Sequence, residues 1–328
     1  MEHNIVVIGP SKVGKTALVA SLVQSANTIS FQLRDENVNV FVSPNNDITR
    51  KLFSQSLDLI RYNRLSFQGT QDIIDYEMKL ESPHIEATFF EKIKEYIGIG
   101  EPTHCTINFP DAPGGALFQG DDEEYDNVVA EKFRSKVVNR LRESKGLIIC
   151  LDASYLTPKA NNESDLKEVA LAFTKWLPDV LAEVVQNSDK TKLDITRVCF
   201  VMTKADLWAH RFSWNDMAQV HVQNRNGYEH AKEVLGRMFF NSIRHYFSKD
   251  TEFAFCMSSV FGFTEEGRVN ESFIQNMNKK RSRGEGQNIE ISVEDWQPYN
   301  VIEPFIFLLN GDNIDNRITV LKWDEMGS

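Results

Sequence analysis

Cysteine is scarce in this chain. Four occur in 328 residues, Cys105, Cys150, Cys199 and Cys256, and no two form a Cys-x-x-Cys pair. That spacing argues against a disulfide framework or a zinc site. Each cysteine lies in a short apolar run, the setting of a buried free thiol that packs as a small hydrophobe. A reducing, cytoplasmic compartment is expected. Long apolar runs are missing too: no stretch reaches the roughly 18 residues that a membrane-spanning helix needs. The opening Met1-Glu2-His3-Asn4 carries no basic segment followed by an apolar core, so no secretory signal is expected. Positive charge is in deficit, with 36 Lys and Arg against 47 Asp and Glu, a net charge of −11. A nucleic-acid binder relying on net charge is thereby disfavoured, because phosphate backbones are held by clustered Lys and Arg. The chain shows no internal repeat and no low-complexity tract.

What is present is an ordinary globular composition, 41% hydrophobic and 25% charged, at a length that fits one large domain or two ordinary ones. Six short apolar runs punctuate it: Ile5–Ile8, Ile73–Leu80, Cys105–Phe109, Leu147–Leu151, Val198–Met202 and Phe253–Met257. Most are continuous rather than alternating and end in Gly, Pro, Asp or Thr. Such runs read as strands covered on both faces, hence as a mainly parallel sheet between helices. Amphipathic stretches between them predict helices over 16–24, 47–61, 125–143, 165–185 (interrupted by Pro178) and 228–247. The fold class expected is three-layer α/β with an insertion at 26–72. Beyond residue 264 a C-terminal extension of 265–328 is expected to pack on the same domain. It begins with a charged loop near 279–286 and holds a helix near 300–309, with Asn300 as N-cap and Glu303 closing a capping box.

Directly after the first run stands Gly9-Pro10-Ser11-Lys12-Val13-Gly14-Lys15-Thr16, a G-x-x-x-x-G-K-T loop opening an apolar helix. The chemistry requires these residue types. Gly9 and Gly14 let the backbone of Ser11, Lys12 and Val13 turn tightly and present N–H groups to phosphate oxygens. The helix behind adds the positive end of its dipole. Lys15 reaches the outer phosphates, and the Thr16 hydroxyl is a ligand for Mg²⁺. The third run ends in Pro110-Asp111-Ala112-Pro113-Gly114-Gly115, which places Asp111 to hold Mg²⁺ and the Gly114 N–H to meet a γ-phosphate. The fifth ends in Thr203-Lys204-Ala205-Asp206. A carboxylate at Asp206 can accept from both the ring N–H and the exocyclic amine of guanine, a donor pair that adenine lacks. An Asp capping the next helix is the simpler alternative. The sixth ends in Ser258-Ser259, which fits a loop supporting the guanine carbonyl and fits an ordinary strand end equally well.

The ordered motifs GPSKVGKT, DAPG, TKAD and, more faintly, SSV resemble those of P-loop GTPases of the translation-factor and Ras-like class. The long segment before Thr70, the DAPGG element and the late WQPYNVIEPFIFLL segment are most similar to the bacterial double-GTPase family, which is associated with conflict and defence systems. The resemblance implies GTP/GDP as bound nucleotide, Mg²⁺ and a protein effector or activating partner; the departures from its pattern at Gly115 and Lys12 lead to the expectations of slow hydrolysis and of a nucleotide-dependent homodimer. It also implies a switch threonine ahead of the second strand that meets Mg²⁺; Thr70 has that position, with Thr49 and Thr88 as alternatives. Two features depart from the Ras-like pattern. Gly115 stands where a water-orienting Gln is common, with Gln119 nearby but out of register. Lys12 occupies a loop place that usually holds a small residue, where a basic side chain can act as an internal finger or simply lie in solvent. Asp152, ending the fourth run, is assigned to a structural turn. Two other functions compete with a GTP switch: a catalytically weak nucleotide-binding scaffold, and a P-loop ATPase in which the TKAD tetrad is accidental.

Overall fold

The computed structural model describes residues 3–10, 13–23, 25–26, 40–61, 74–82, 103–111, 127–153, 163–188, 190–205, 227–260, 298–311 and 318–326. All six expected strands are there: β1 (His3–Ile8), β3 (Ile74–Ser82), β4 (Thr103–Asp111), β5 (Gly146–Asp152), β6 (Arg197–Thr203) and β7 (Glu252–Met257). Two short ones join them, β2 (Phe41–Pro44) and β8 (Thr319–Leu321). The helices are α1 (Lys15–Ala20), α2 (Asp47–Arg61), α3 (Asn127–Arg142), α4 (Glu163–Gln186), α5 (Gly227–Leu235), α6 (Arg237–Ile243) and α7 (Glu303–Asn310).

The eight strands form one sheet in the order β2-β3-β4-β1-β5-β6-β7-β8. Its five central strands, β4 to β7, run parallel, and β2, β3 and β8 add antiparallel edges. β1 lies between β4 and β5, so the chain leaves it toward one side and later crosses to the other. In an open α/β sheet a ligand binds at such a switch point, outside the carboxyl ends of the strands. The loop following β1 occupies that place.

Alternation along each strand divides the core into two faces. Ile5, Val7, Ile107, Phe109, Ile148, Cys150, Cys199, Val201 and Cys256 pack with α1, α2 and α7. Val6, Ile8, Leu147, Ile149, Phe200, Phe253, Phe255 and Met257 pack with α3, α4, α5 and α6. The result is a three-layer α/β fold of the P-loop NTPase, G-domain-like kind. The second face is bulky and aromatic: Phe200 stacks on Phe255 at 4.9 Å, and Phe240 meets both edge-on.

The first face is lined by small residues where α7 crosses it. Cys150, Cys199, Ala254 and Cys256 make that floor, and Val301, Ile302, Phe305, Phe307, Leu308 and Leu309 press onto it. Gly146 has the same role, since a Cβ there would stand 3.0 Å from Ile5 Cγ1 and 3.3 Å from Leu308 Cβ. Cys150, Cys199 and Cys256 thus serve as low-volume residues that admit a helix apolar on all sides. Arg197 closes the far end of α7, donating to the Leu308 carbonyl at 3.4 Å and pairing with Glu252 at 3.0 Å. A cation at that terminus complements the helix dipole.

Three expectations are corrected. Asn300 does not cap α7: Ile302 holds the N-cap place and no side-chain capping bond forms. Asn300 instead has φ 47°, and its Nδ2 donates to the Met257 carbonyl at 3.0 Å, tying the segment before α7 to the end of β7. The helix expected over 228–247 is broken at Gly236, whose φ of 79° separates α5 from α6. Pro178, by contrast, does not interrupt α4. Its buried neighbours Leu177, Val180 and Leu181 hold the helix against the second core face, and that packing outweighs one lost backbone bond.

Candidate functional site

The loop from Gly9 leaves the carboxyl end of β1 beside β5. Gly9 has φ 154°, and a Cβ on it would stand 2.4 Å from the Cys150 carbonyl oxygen. Only glycine lets the backbone pass so close to the sheet. Gly14 ends the loop in the left-handed conformation, φ 95° and ψ 16°, and serves as N-cap of α1. It makes no side-chain capping bond. Lys15 is buried, and its ammonium donates to the carbonyls of Gly9 at 3.0 Å and Pro10 at 2.7 Å. The charge is thereby folded back over the loop that would receive a phosphate. Thr16 follows, half-buried, in the first turn.

The carboxyl ends of β5 and β6 close the other side. Thr203 is buried, and its hydroxyl lies within bonding distance of two carbonyls, Val13 in the loop and Leu151 at 2.9 Å. Having one proton, it donates to one of them at a time. Lys204 takes φ 60°, a conformation uncommon outside glycine. Its Cε would lie 3.8 Å from a Cβ on Gly14, so the aliphatic stem covers the phosphate loop. Its ammonium reaches Asp152 Oδ2 at 2.5 Å. The next residues are fastened to β7: the Ala205 N–H donates to Ser258 O at 3.0 Å, and the Ser258 N–H to Met202 O at 2.8 Å. Ser258 Oγ is buried with no hydrogen-bond partner among the described residues.

The structure therefore brings together Gly9, Val13, Gly14, Lys15, Thr16, Thr203, Lys204 and Ser258. Asp111 ends β4, where its Cα pairs with Ile74; β4 adjoins β1, which puts this residue on the same edge of the sheet as the loop. Ser11, Lys12, Thr70, Thr88, Gly114, Gly115, Gln119 and Asp206 lie outside the described residues. Thr49 is not placed as a switch residue. It is buried in α2, and its hydroxyl accepts from the Glu77 N–H at 2.8 Å, pinning that helix to the β2–β3 edge.

Sequence reasoning missed one partner in this site. Asp152 was assigned to a turn, yet it is the buried counter-ion of Lys204. A signal was available, since Asp152 and Thr203 end neighbouring runs of equal length, and in the sheet they stand directly opposite. What the sequence could not supply was that β5 and β6 are adjacent.

The donors present fit Mg²⁺. The Thr16 hydroxyl is a hard oxygen donor of the kind that Mg²⁺ takes alongside phosphate and water. Among the described residues there is no group of three or more His, Cys, Asp or Glu that could hold a metal ion. No helix among those residues is long and apolar enough to cross a membrane.

No family model matches the chain, and no curated protein matches it. Among solved structures, a chain of the signal recognition particle receptor SRb-GTP/SRX complex from Chaetomium thermophilum is 16% identical, with 85% of this chain and 98% of that one covered at a TM-score of 0.38. The S. cerevisiae Ski7 GTPase-like domain, bound to GDP and inorganic phosphate, is 12% identical over 86% of this chain and 51% of that one, at a TM-score of 0.32. The G domain of the T. maritima FeoB iron transporter is 14% identical over 86% and 100%, at 0.25. Likeness this distant carries no assignment. The fold class rests on this chain's own strand order and on the loop after β1.

Proposed function

We propose that the chain is a Mg²⁺-dependent GTP-binding protein that hydrolyses GTP slowly and acts as a nucleotide-controlled switch. One observation carries the reading. The TKAD tetrad is joined to the phosphate loop, with the Thr203 hydroxyl on Val13 and the Lys204 stem over Gly14. A base-reading segment and a phosphate-reading segment built into one surface support a nucleoside triphosphate that is read at both ends, and they disfavour an accidental tetrad.

In this reading, the loop N–H groups and Lys15 hold the β- and γ-phosphates. Lys15 exchanges the carbonyls of Gly9 and Pro10 for phosphate oxygens. Thr16 and Asp111 hold Mg²⁺, which when bound neutralises phosphate charge. Gly114 and Thr70 order around the γ-phosphate and relax after its loss, and that difference is what an effector protein reads. Asp206 accepts from the guanine edge, and the Ser258 segment supports the guanine carbonyl. Gly115 in place of Gln leaves the attacking water without that side chain, which supports slow turnover. Lys12, brought to the γ-phosphate in a nucleotide-dependent homodimer, supplies transition-state charge. We place the nucleotide-binding domain at 1–264, including the 26–72 insertion, and read 265–328 as an extension packed on it. A double-GTPase role in bacterial conflict or defence, in the cytoplasm, is the family-level form of this proposal.

The test compares fluorescent GTP and ATP analogues, with and without Mg²⁺, then measures turnover. Preference for guanine, transferred to xanthosine triphosphate by Asp206→Asn, is the expected outcome. Equal binding of the two purines refutes the base assignment and leaves a P-loop ATPase. Tight guanine binding with no turnover, alone or with partners, leaves the scaffold function instead.

A further inference from the structure

We infer that Asp152 is a positioning residue of the nucleotide site, which sets Lys204 and through it the seam between the base-reading and phosphate-reading loops. The inference rests on the proposed GTP-binding function and adds to it a residue outside the phosphate-loop, DAPG and TKAD motifs.

Lys204 holds a backbone conformation that L-residues adopt only where the surroundings impose it, φ 60°. Two contacts impose it. The Ala205 N–H is tied to the Ser258 carbonyl, and the Lys204 ammonium is drawn back over the loop to Asp152 Oδ2. Asp152 is itself 4% exposed. Its Oδ2 receives the Lys204 ammonium at 2.5 Å, and a buried pair of this kind is disrupted most when one partner alone is removed. The direction of the pull matters. Asp152 and Thr203 stand opposite each other at the ends of β5 and β6. Lys204 therefore folds back toward β5 and lays its stem on Gly14, rather than extending toward solvent. The same strand meets the loop at Gly9, where an added Cβ would stand 2.4 Å from the Cys150 carbonyl oxygen. One strand terminus thus locates both halves of the site: the backbone of Cys150 sets the start of the phosphate loop, and the side chain of Asp152 sets the lysine that covers its end. With that lysine released, Ala205 keeps its backbone tie to β7 and Thr203 its bond to the loop, and the cover over Gly14 is lost.

The experiment measures dissociation of a fluorescent guanine nucleotide from the full chain by stopped flow. It uses the parent, Asp152→Asn, Lys204→Gln, the double variant and Asp152→Glu, with melting temperatures recorded alongside. Asp152→Asn is near-isosteric and removes only the charge. Each single variant is expected to release nucleotide about tenfold faster or more, the scale of truncating one partner of a buried charge pair. The double variant is expected to be no faster than the worse single, because the two residues act as one unit, and Asp152→Glu to recover most of the parent rate. A merely structural Asp152 would instead give rate changes that follow the melting temperature and multiply with those of Lys204→Gln. That result, or an Asp152→Asn rate within about twofold of the parent, overturns the inference. Should Asp152→Asn fail to fold, Lys204→Arg against Lys204→Gln carries the same test: Arg keeps the pair and a near-parent rate, and equal rates in the two overturn it. A folded parent that binds no guanine nucleotide refutes the proposed function instead, so the two failures are distinct.

Discussion

Replacing Gly9 with alanine tests the geometry of the phosphate loop most directly. The added Cβ would stand 2.4 Å from the Cys150 carbonyl oxygen and 3.1 Å from the Cys150 Cβ. The first distance is shorter than any real Cβ contact, and the obstructing atom is backbone. Cys150 lies in β5, paired with Val201 of β6, in a strand buried on both faces, so the oxygen has nowhere to move. The loop must shift instead, and the alanine must also tolerate a φ of 154°. Backbone strain of this kind costs about 1–3 kcal/mol, and displacing packed backbone about 1–3 kcal/mol more. A loss near 4 kcal/mol is expected. For 328 residues the unfolding entropy is about 0.7 kcal/mol per kelvin, so the melting temperature should fall by about 6 °C. Gly14→Ala is the internal control. Its Cβ would meet nothing closer than Thr203 Oγ1 at 3.7 Å, leaving only the left-handed backbone penalty of about 1–2 kcal/mol, or about 2 °C. Thermal unfolding followed by circular dichroism reads both. A Gly9→Ala melt within about 1 °C of the parent, or a larger drop for Gly14→Ala, would refute the packing argument.

Three further outcomes follow from the same contacts. Thr203→Val keeps the side-chain shape and removes the hydroxyl shared by Val13 and Leu151; it should cost about 1–3 kcal/mol, and an unchanged urea midpoint would show that the hydroxyl is dispensable. Phe305→Ala, at a fully buried position of α7, should cost about 3–5 kcal/mol; a much smaller loss in a urea titration would mean that α7 does not close the core. The third outcome concerns pH. Burial pushes the Cys150 thiol up to about 12, with Lys15 opposing the rise, and the Cys256 thiol is raised by burial and by a hydrogen bond with the Cys199 thiol. From the unfolded value of about 8.5 up to the folded value, the unfolded chain has released protons that the folded chain keeps. The stability from this source is therefore complete below about pH 8.5 and declines as pH rises, by about 1.4 kcal/mol per unit for each thiol. Urea midpoints between pH 7.5 and 10.5 should fall accordingly, and Cys150→Ala should flatten the slope; a parent with no slope would show that these thiols ionise in place.

What could be read along the chain was whatever local chemistry encodes. Continuous apolar runs such as Leu147–Leu151 and Val198–Met202 announced strands covered on both faces, since only a sheet between helix layers accepts them. The glycine spacing around Lys15 announced the loop, because tight turns and close approach need glycine at those places. β2 and β8 were not legible: β2 is four residues ending in Pro44 and β8 only three, too short for a periodic pattern, and both exist because a neighbouring edge offers them partners. The break at Gly236 was hidden within an apolar periodicity that continues across it.

By itself, then, the sequence determined the class of fold, the position of the phosphate loop and the residue types that could meet a nucleotide. Tertiary structure decided who stands beside whom. Asn300 reads as a helix cap until β7 lies next to it and takes its amide. Thr49 reads as a candidate switch until the β2–β3 edge engages its hydroxyl. Asp152 reads as a turn until β6, pairing with β5, brings Lys204 within reach. The physical reason is common to all three. A polar side chain settles on the partner that burial leaves within reach, and that partner is fixed by the order of strands in the sheet, not by its distance along the chain.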